Sequence, residues 1–470
     1  MNPSCNLVNS GCSRPLINNK NKQMKKRYAF LLMISILLIS IYIFRYKRAL
    51  NFNHRVPRTA TALVNIDLRQ LEHHVLVDFF KNPFTYISFK SSKTKDRKSF
   101  IDAISIPRNI LFFNNDSNVK GAWFSSFIKV NSNKELTAYL VAQKFNKTKW
   151  KDFDVFSKNN IVLAVHNNRL VVAYKMYKET SILYALEAIF NETDFYPETS
   201  AIIKPIITSR SDMSFITLNN DFLEANFKKG LFEITGHISS DIFMAQKQSE
   251  LPANSVALIV AKINKKNSLF NDFFGKLNQS KFKELKHLSV DSIARKWNGT
   301  LYFNLKSVLT RTDTIITYDY DDNFNKIEKK ATQKVAVPEL VFNLEREEDA
   351  KLYDYLLEEK AIQIVENDTL FTAIPIYKLY AHRTKKGLEI STDIAISEIP
   401  VKENMNKLNA YFDIEKYMQY QLGFTFLPTE KKYIELIKKT SIQLSEKDEL
   451  SLEIDLINKK RNFLGQFIKP

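Results

Sequence analysis

Cysteine is nearly missing from this chain of 470 residues: there are two, Cys5 and Cys12, and both precede residue 56. Residues 56–470 therefore hold no disulfide and no thiol nucleophile. A segment of that length needs no such staples, since it can bury large hydrophobic cores, and it is long enough for two domains. Glycine is scarce as well, nine in all. None forms the Gly-rich turn that brings backbone N–H groups against a phosphate, which argues against a nucleotide site of that kind. Acidic residues are absent before residue 56, where ten Lys and Arg stand. Setting that stretch aside leaves 59 cations against 51 anions, so the formal charge of +18 falls to +8. No Arg stripe with interleaved aromatics remains, and nucleic acid is not an expected partner. The histidines, His54, His73, His74, His166, His237, His287 and His382, include no pair at the i, i+4 spacing of a helical zinc site. No Gly-x-Ser-x-Gly elbow offers a serine nucleophile. From these absences we expect no catalytic residue, no cofactor and no bound metal.

What the chain does have is one long apolar run, Tyr28 to Phe44, with eleven Ile, Leu or Phe. At about 0.3 to 0.6 kcal/mol each, these favour membrane insertion by roughly 3 to 7 kcal/mol. The run sits at the short end of a spanning helix, exceeds the usual core of a secretory signal, and has no small-residue cleavage site close behind it. It predicts an uncleaved signal anchor in the lipid bilayer. Lys25, Lys26 and Arg27 abut its start, so the positive-inside bias places residues 1–27 in the cytoplasm and the bulk of the chain outside it. The margin over the far flank, with Arg45, Lys47, Arg48, Arg55 and Arg58, is narrow. Residues 45–55 form a basic juxtamembrane segment suited to anionic headgroups.

Beyond the anchor the chain reads as a duplication, residues 56–245 and 246–470. Val56-Pro57 with Ala62-Leu63-Val64 aligns with Leu251-Pro252 and Ala257-Leu258-Ile259; Asp78-Phe79-Phe80 aligns with Asp272-Phe273-Phe274. Leu136 with Tyr139-Leu140 matches Leu352 with Tyr355-Leu356, and Phe232-Glu233-Ile234 matches Leu452-Glu453-Ile454, at an offset of 220. The order never breaks, and a collinear set needing one main insertion is the mark of a repeat. The extra residues of the second copy fall between Phe274 and Leu340, where Thr314 to Tyr318, the turn Asp321-Asp322-Asn323 and the run from Lys326 predict a hairpin.

Each copy mixes strands with a few helices. A strand from Ala60 to Leu68 precedes an amphipathic helix with Leu71, Val75, Leu76 and Phe79 on one face. Ser132 and Glu135 make a capping box; Glu347, Glu348 and Asp349 are expected in the first turn of the matching helix. Alternating runs at Ile161 to Val165, Leu170 to Tyr174, Leu379 to Ala381 and Leu388 to Ser391 predict hairpins. The fold class is α+β: an N-terminal transmembrane helix followed by two related domains, each an antiparallel sheet packed by helices.

One pattern invites a chemical reading. Asp319-Tyr320-Asp321 follows an apolar strand and resembles the Asp-x-Asp motif of membrane-anchored glycosyltransferases, in which two carboxylates hold the metal bridging a sugar nucleotide's diphosphate. A plain turn also accounts for every acid from Asp319 to Asp322, and that is the reading taken, with Asp319 and Asp321 as metal ligands the alternative. The duplicated start, the Asp-Phe-Phe helices and the Thr317 to Asn325 hairpin resemble single-pass exported proteins of Bacteroidetes-type bacteria, whose members carry no assigned activity. The resemblance implies an inner-membrane protein with a periplasmic domain and carries over no catalytic residue. The expected function is a non-enzymatic binding or scaffold module with an envelope protein as partner. The full chain is expected to stay with the membrane pellet under alkaline carbonate extraction and a chain lacking residues 28–44 to leave it; release of the full chain would remove the anchor.

Overall fold

The computed structural model describes residues 55–86, 100–115, 121–177, 181–197, 199–249, 252, 254–268, 270, 288–320, 322, 324–373, 377–397, 401–420 and 428–468. The expected anchor at 28–44, its flanks 1–27 and 45–54, the Asp272-Phe273-Phe274 helix, Asp321, Asn323, His54 and His287 lie outside these residues. Among the described residues no helix is long and apolar enough to cross a membrane.

Up to residue 245 the strands are β1 (Ala60–Asp67), β2 (Ile104–Ser105), β3 (Asn109–Asn115), β4 (Ala122–Ser125), β5 (Ile128–Val130) and β6 (Asn146–Trp150), then β7 (Phe153–Lys158), β8 (Ile161–His166), β9 (Arg169–Lys175), β10 (Met213–Thr217), β11 (Phe222–Lys228) and β12 (Leu231–His237). After it come β13 (Gln246–Ser249), β14 (Ala257–Lys262), β15 (Trp297–Tyr320), β16 (Lys326–Arg346), β17 (Ile362–Val365) and β18 (Asp368–Phe371), then β19 (Tyr380–Arg383), β20 (Gly387–Ser391), β21 (Val401–Asp413), β22 (Ile437–Ser445) and β23 (Glu449–Leu456). Helices that bear on the argument are α1 (Leu68–Lys81), α2 (Asn133–Ala142), α3 (Leu183–Phe190), α4 (Leu352–Glu358), α5 (Ile414–Gln419) and α6 (Phe463–Ile468). The class is α+β, and every ladder among these strands is antiparallel.

Hydrogen bonding orders the first set β12-β11-β10-β1-β3-β4-β9-β8-β7-β6. The second set runs β23-β22-β21-β14-β15-β16-β20-β19-β18-β17. Position for position the two orders agree. They meet where β12 pairs with β23, Glu233 standing opposite Glu453. Residues 51–470 thus form one compact unit, through a sheet that continues across the boundary expected at 245.

Local sequence explains most elements. The apolar run of β8 and its neighbour β9 is buried on both faces: Leu163 and Leu170 meet Leu136 and Leu140 of α2, while Ala164 and Val171 meet Leu186 and Ile189 of α3. Continuous apolar runs suit strands covered on both sides. Ser132 caps α2 by accepting from the Glu135 N–H at 3.3 Å. Asp67 caps α1 in the same way, accepting from Gln70 N at 2.9 Å. The expected acidic first turn of α4 is corrected: the helix begins at Leu352, with Asp354 in that turn. Asp349 takes a φ of 60° in the turn before it, where Ala350 N bonds Glu347 O, and a left-handed residue cannot open a helix.

The expected apolar face of α1 is only half-buried; its one buried residue is Asp78, 3 % exposed. Four groups hold that carboxylate. Tyr86 Oη donates at 2.5 Å, Asn462 N at 2.9 Å, Asn82 Nδ2 at 3.2 Å and Arg461 Nε at 3.3 Å. The Tyr86 phenol is pushed up by burial and by its bond to Asp78. Gly465 sits against the clasp, and a β-carbon there would collide with Tyr86 Oη and Asp78 Oδ2. Asp78→Ala leaves the partly buried Arg461 guanidinium without its carboxylate, and we expect a loss of about 3 kcal/mol in urea denaturation. A midpoint within error of the wild type would show the clasp to be idle.

Candidate functional site

Two features of the second strand set stand out. The first is an arm. β14 pairs with β15 only as far as Leu305, and β20 pairs with β16 only from Val341 onward. From Ser307 to Tyr320 and from Lys326 to Glu339, the two strands pair only with each other among the described residues. At about 3.4 Å per residue this arm reaches roughly 45 Å. Its outer half exposes Ile316, Tyr318, Tyr320 and Ile327, and Phe324 at the tip is 86 % exposed. Lys326 Nζ lies 3.5 Å from the Tyr318 ring centroid.

Asp319 stands near the end of this arm. Lys329 Nζ holds its Oδ2 at 2.6 Å, and Tyr320 N donates to Oδ1 at 3.0 Å. The Lys329 bond keeps the carboxyl below its ordinary range. Its intended partner Asp321 lies outside the described residues. Among the described residues no group of three or more His, Cys, Asp or Glu is arranged to hold a metal.

The second feature is a groove of about 570 Å³ across β14, β15, β16 and β20. Register fixes its floor. Val260 pairs with Tyr302, Tyr302 with Asn343, and Asn343 with Glu389, so four side chains cross the sheet in one row. β13 and residues 396–397 form its sides. Glu389 is 1 % exposed and accepts from Ser397 N at 2.8 Å. Burial raises the Tyr302 phenol, and the Glu389 charge adds to it. Ser249 Oγ and Asn343 Oδ1 are buried without a hydrogen-bond partner. Lys247, Lys262, Lys385 and Lys386 ring the mouth, where Lys386 faces Glu345 at 3.5 Å.

His73 and His74, on α1, line a separate and smaller cleft of about 320 Å³. His74 Nε2 lies 2.9 Å from Asp212 Oδ1, while Asp212 Oδ2 accepts from Phe227 N at 2.6 Å. Burial, then the neighbouring His74, lowers the His73 pKa. Sequence reasoning missed Glu389 and Asn343. The signal was present in the run Leu388 to Ser391, where one glutamate, Glu389, stands between two buried apolar residues.

No protein-family model matches this chain, and no curated protein matches it. Two solved structures are similar to it at low score, crystal forms I and IV of TP0453. They are 9 % and 10 % identical, cover 41 % and 42 % of this chain and 85 % and 89 % of their own, and give TM-scores of 0.25 and 0.26.

Beside the groove floor, on the same face of the sheet, Tyr411 packs with Leu258, Val260 and Tyr302 and donates to Asp413 Oδ2 at 3.3 Å. Burial and the Asp413 charge push its phenol up to about 12, from 10.0. A raised pKa means the folded state keeps its proton longer. That contribution to stability is whole below pH 10 and is lost as pH rises toward 12. Tyr411→Phe should therefore lose less stability than the wild type over that interval in pH-dependent urea melts, and parallel curves would refute the assignment.

Proposed function

We propose that this protein is a membrane-anchored, non-enzymatic envelope module that holds a partner protein with the β15–β16 arm. The arm carries the reading. Two strands alone are only marginally stable in water, and each presents an unpaired row of N–H and C=O groups along its outer edge. Native sheets shield such edges; this one instead carries aromatic and aliphatic side chains at its end. A partner strand added to either edge would satisfy the ladder, with side-chain pockets setting specificity.

In this reading the segment Tyr28 to Phe44 spans the inner membrane once, residues 1–27 face the cytoplasm, and residues 56–470 lie in the periplasm. The two strand sets are copies of one ancestral unit. Their common strand order supports this, as does the seam: the offset of 220 makes Glu453 the counterpart of Glu233, and these two residues face each other. A local two-fold axis then passes through that pair. The alternative, a metal-dependent glycosyltransferase using Asp319 and Asp321, draws less support. Asp319 lies on an open arm with its carboxylate already engaged by a lysine.

The test places a photo-crosslinking residue at Tyr320 of the full chain in cells. The expected result is one discrete crosslinked envelope protein, lost when residues 310–336 are replaced by a two-residue turn, while the shortened protein keeps its stability to within about 1 kcal/mol. Crosslinking that survives removal of the arm, or sugar-nucleotide binding abolished by Asp319→Ala, would overturn the reading.

A further inference from the structure

The first strand set closes both faces of its sheet, and the second does not. Residues 176–212 separate β9 from β10 and include α3, which covers one face. Only residues 392–400 separate β20 from β21, too few to make such a helix and return. The strands beneath differ to match. Leu170 on β9 and Leu388 on β20 both face a helix, α2 and α4. One residue on, Val171 packs in the apolar core under α3, whereas Glu389 occupies that place on β20. The face without a helix is thus the groove, and its floor has changed from apolar to polar.

A face merely washed by solvent would show exposed polar groups. These are buried: Glu389 is 1 % exposed and Ser249 6 %, and the Ser249 hydroxyl has no partner. Buried polar atoms are normally hydrogen-bonded, so the unmatched ones define what a ligand must bring. Asn343 Oδ1 is unmatched and calls for a donor, and the Glu389 carboxylate, held by Ser397 N, has lone pairs for another. Ser249 can do either. The donor cannot be an ammonium group, because lysines ring the mouth, and Lys247, Lys262 and Lys385 have no carboxylate partner among the described residues. Hydroxyl groups meet the remaining requirement, since each both donates and accepts.

We propose that this groove binds an acidic saccharide. Its hydroxyls donate to Asn343 Oδ1 and Glu389 and accept from the Ser249 hydroxyl. Its carboxylate or phosphate lies among the rim lysines, and its C–H face packs on Val260 and the exposed Ile396. Recognition is selective because a ligand lacking the hydroxyls leaves the floor unpaired. The site is separate from the arm, and the two proposals stand or fall independently.

Calorimetry on the full chain in nanodiscs tests this with trigalacturonate, neutral maltotriose, triglutamate and laurate. Trigalacturonate should bind, about tenfold tighter than maltotriose, with Ser249→Ala and the exposed Lys385→Gln each weakening it about fivefold. The arm-shortened variant should bind as the full chain does. No saturable binding of trigalacturonate would mean that water alone fills the groove and would overturn the proposal. So would tighter binding of triglutamate or laurate, or unchanged binding by both variants.

Discussion

A carboxylate with almost no solvent contact ties residue 78 to residues 461 and 462, and the continuity of the sheet rests on it. Asp78 receives the Asn462 backbone N–H and the Arg461 guanidinium. This fixes the strand end that follows β23 against the turn that joins β11 to β12. Gly230 N then bonds Arg461 O at 2.8 Å, Leu456 N bonds Gly230 O at 2.8 Å, and Asn462 Nδ2 bonds Phe227 O at 2.9 Å. The β12–β23 ladder begins directly beside this latch, at Leu231 and Asp455. Two like charges, Glu233 and Glu453, stand opposite each other in that ladder, a destabilising arrangement in itself. Lys228 engages Glu233, and the buried clasp holds the register from one end. A charge buried without such partners would cost several kcal/mol; here every lone pair has an address.

From that seam outward the two strand sets share an order but diverge in what covers them. The first uses α2 on one face and α3 on the other, and its strands are apolar on both sides. The second keeps the helix on one side, α4, and drops the layer on the other. Loop length decides this, because nine residues cannot build a helix and cross back over a sheet. Side-chain chemistry follows: where cover is lost, Val171 gives way to Glu389. The same set lengthens another connection, since β15 and β16 take the place that the short β3 and β4 hold in the first. Both departures lie within one stretch of chain, and both create surface that the first set lacks.

Much of this was legible in the sequence. The capping Ser132, the hairpins at Ile161 to Tyr174 and Leu379 to Ser391, and the β-branched hairpin after Thr314 follow from local periodicity and turn chemistry, which act over a few residues. Asp78 was hidden because its apolar neighbours on α1 suggested the buried face, while the partners that make burial of a charge tolerable lie 383 and 384 residues away. The groove was hidden for a related reason. Glu389 alternates with Leu388 and Ile390 as any half-exposed strand would, and only the cross-strand register brings it into line with Asn343 and Tyr302. Asp319 illustrates a different limit: three residues of sequence match a metal motif, while the strand register, which sequence does not display, sets Lys329 of the facing strand against it.

Arm and groove share strands β15 and β16, and a further link between them runs through Thr392. Thr392, fully buried, makes two hydrogen bonds with Leu340 at the root of the arm, its N–H donating to Leu340 O at 3.1 Å and its side-chain Oγ1 accepting from Leu340 N at 3.0 Å. Arg311, four residues along the arm, donates to Thr392 O. From Thr392 the chain runs without regular structure to Ser397, whose N–H holds Glu389 at the groove floor. The side wall of the groove is therefore anchored at one end to the arm and at the other to the carboxylate that it would offer a ligand. Contiguity of this kind is not coupling, which requires an element with two stable arrangements. β15 and β16 carry both the arm and part of the groove floor, and residues 392–397 add a second link, from the arm root to the groove wall, so a partner that twists the arm root has two physical routes to the groove.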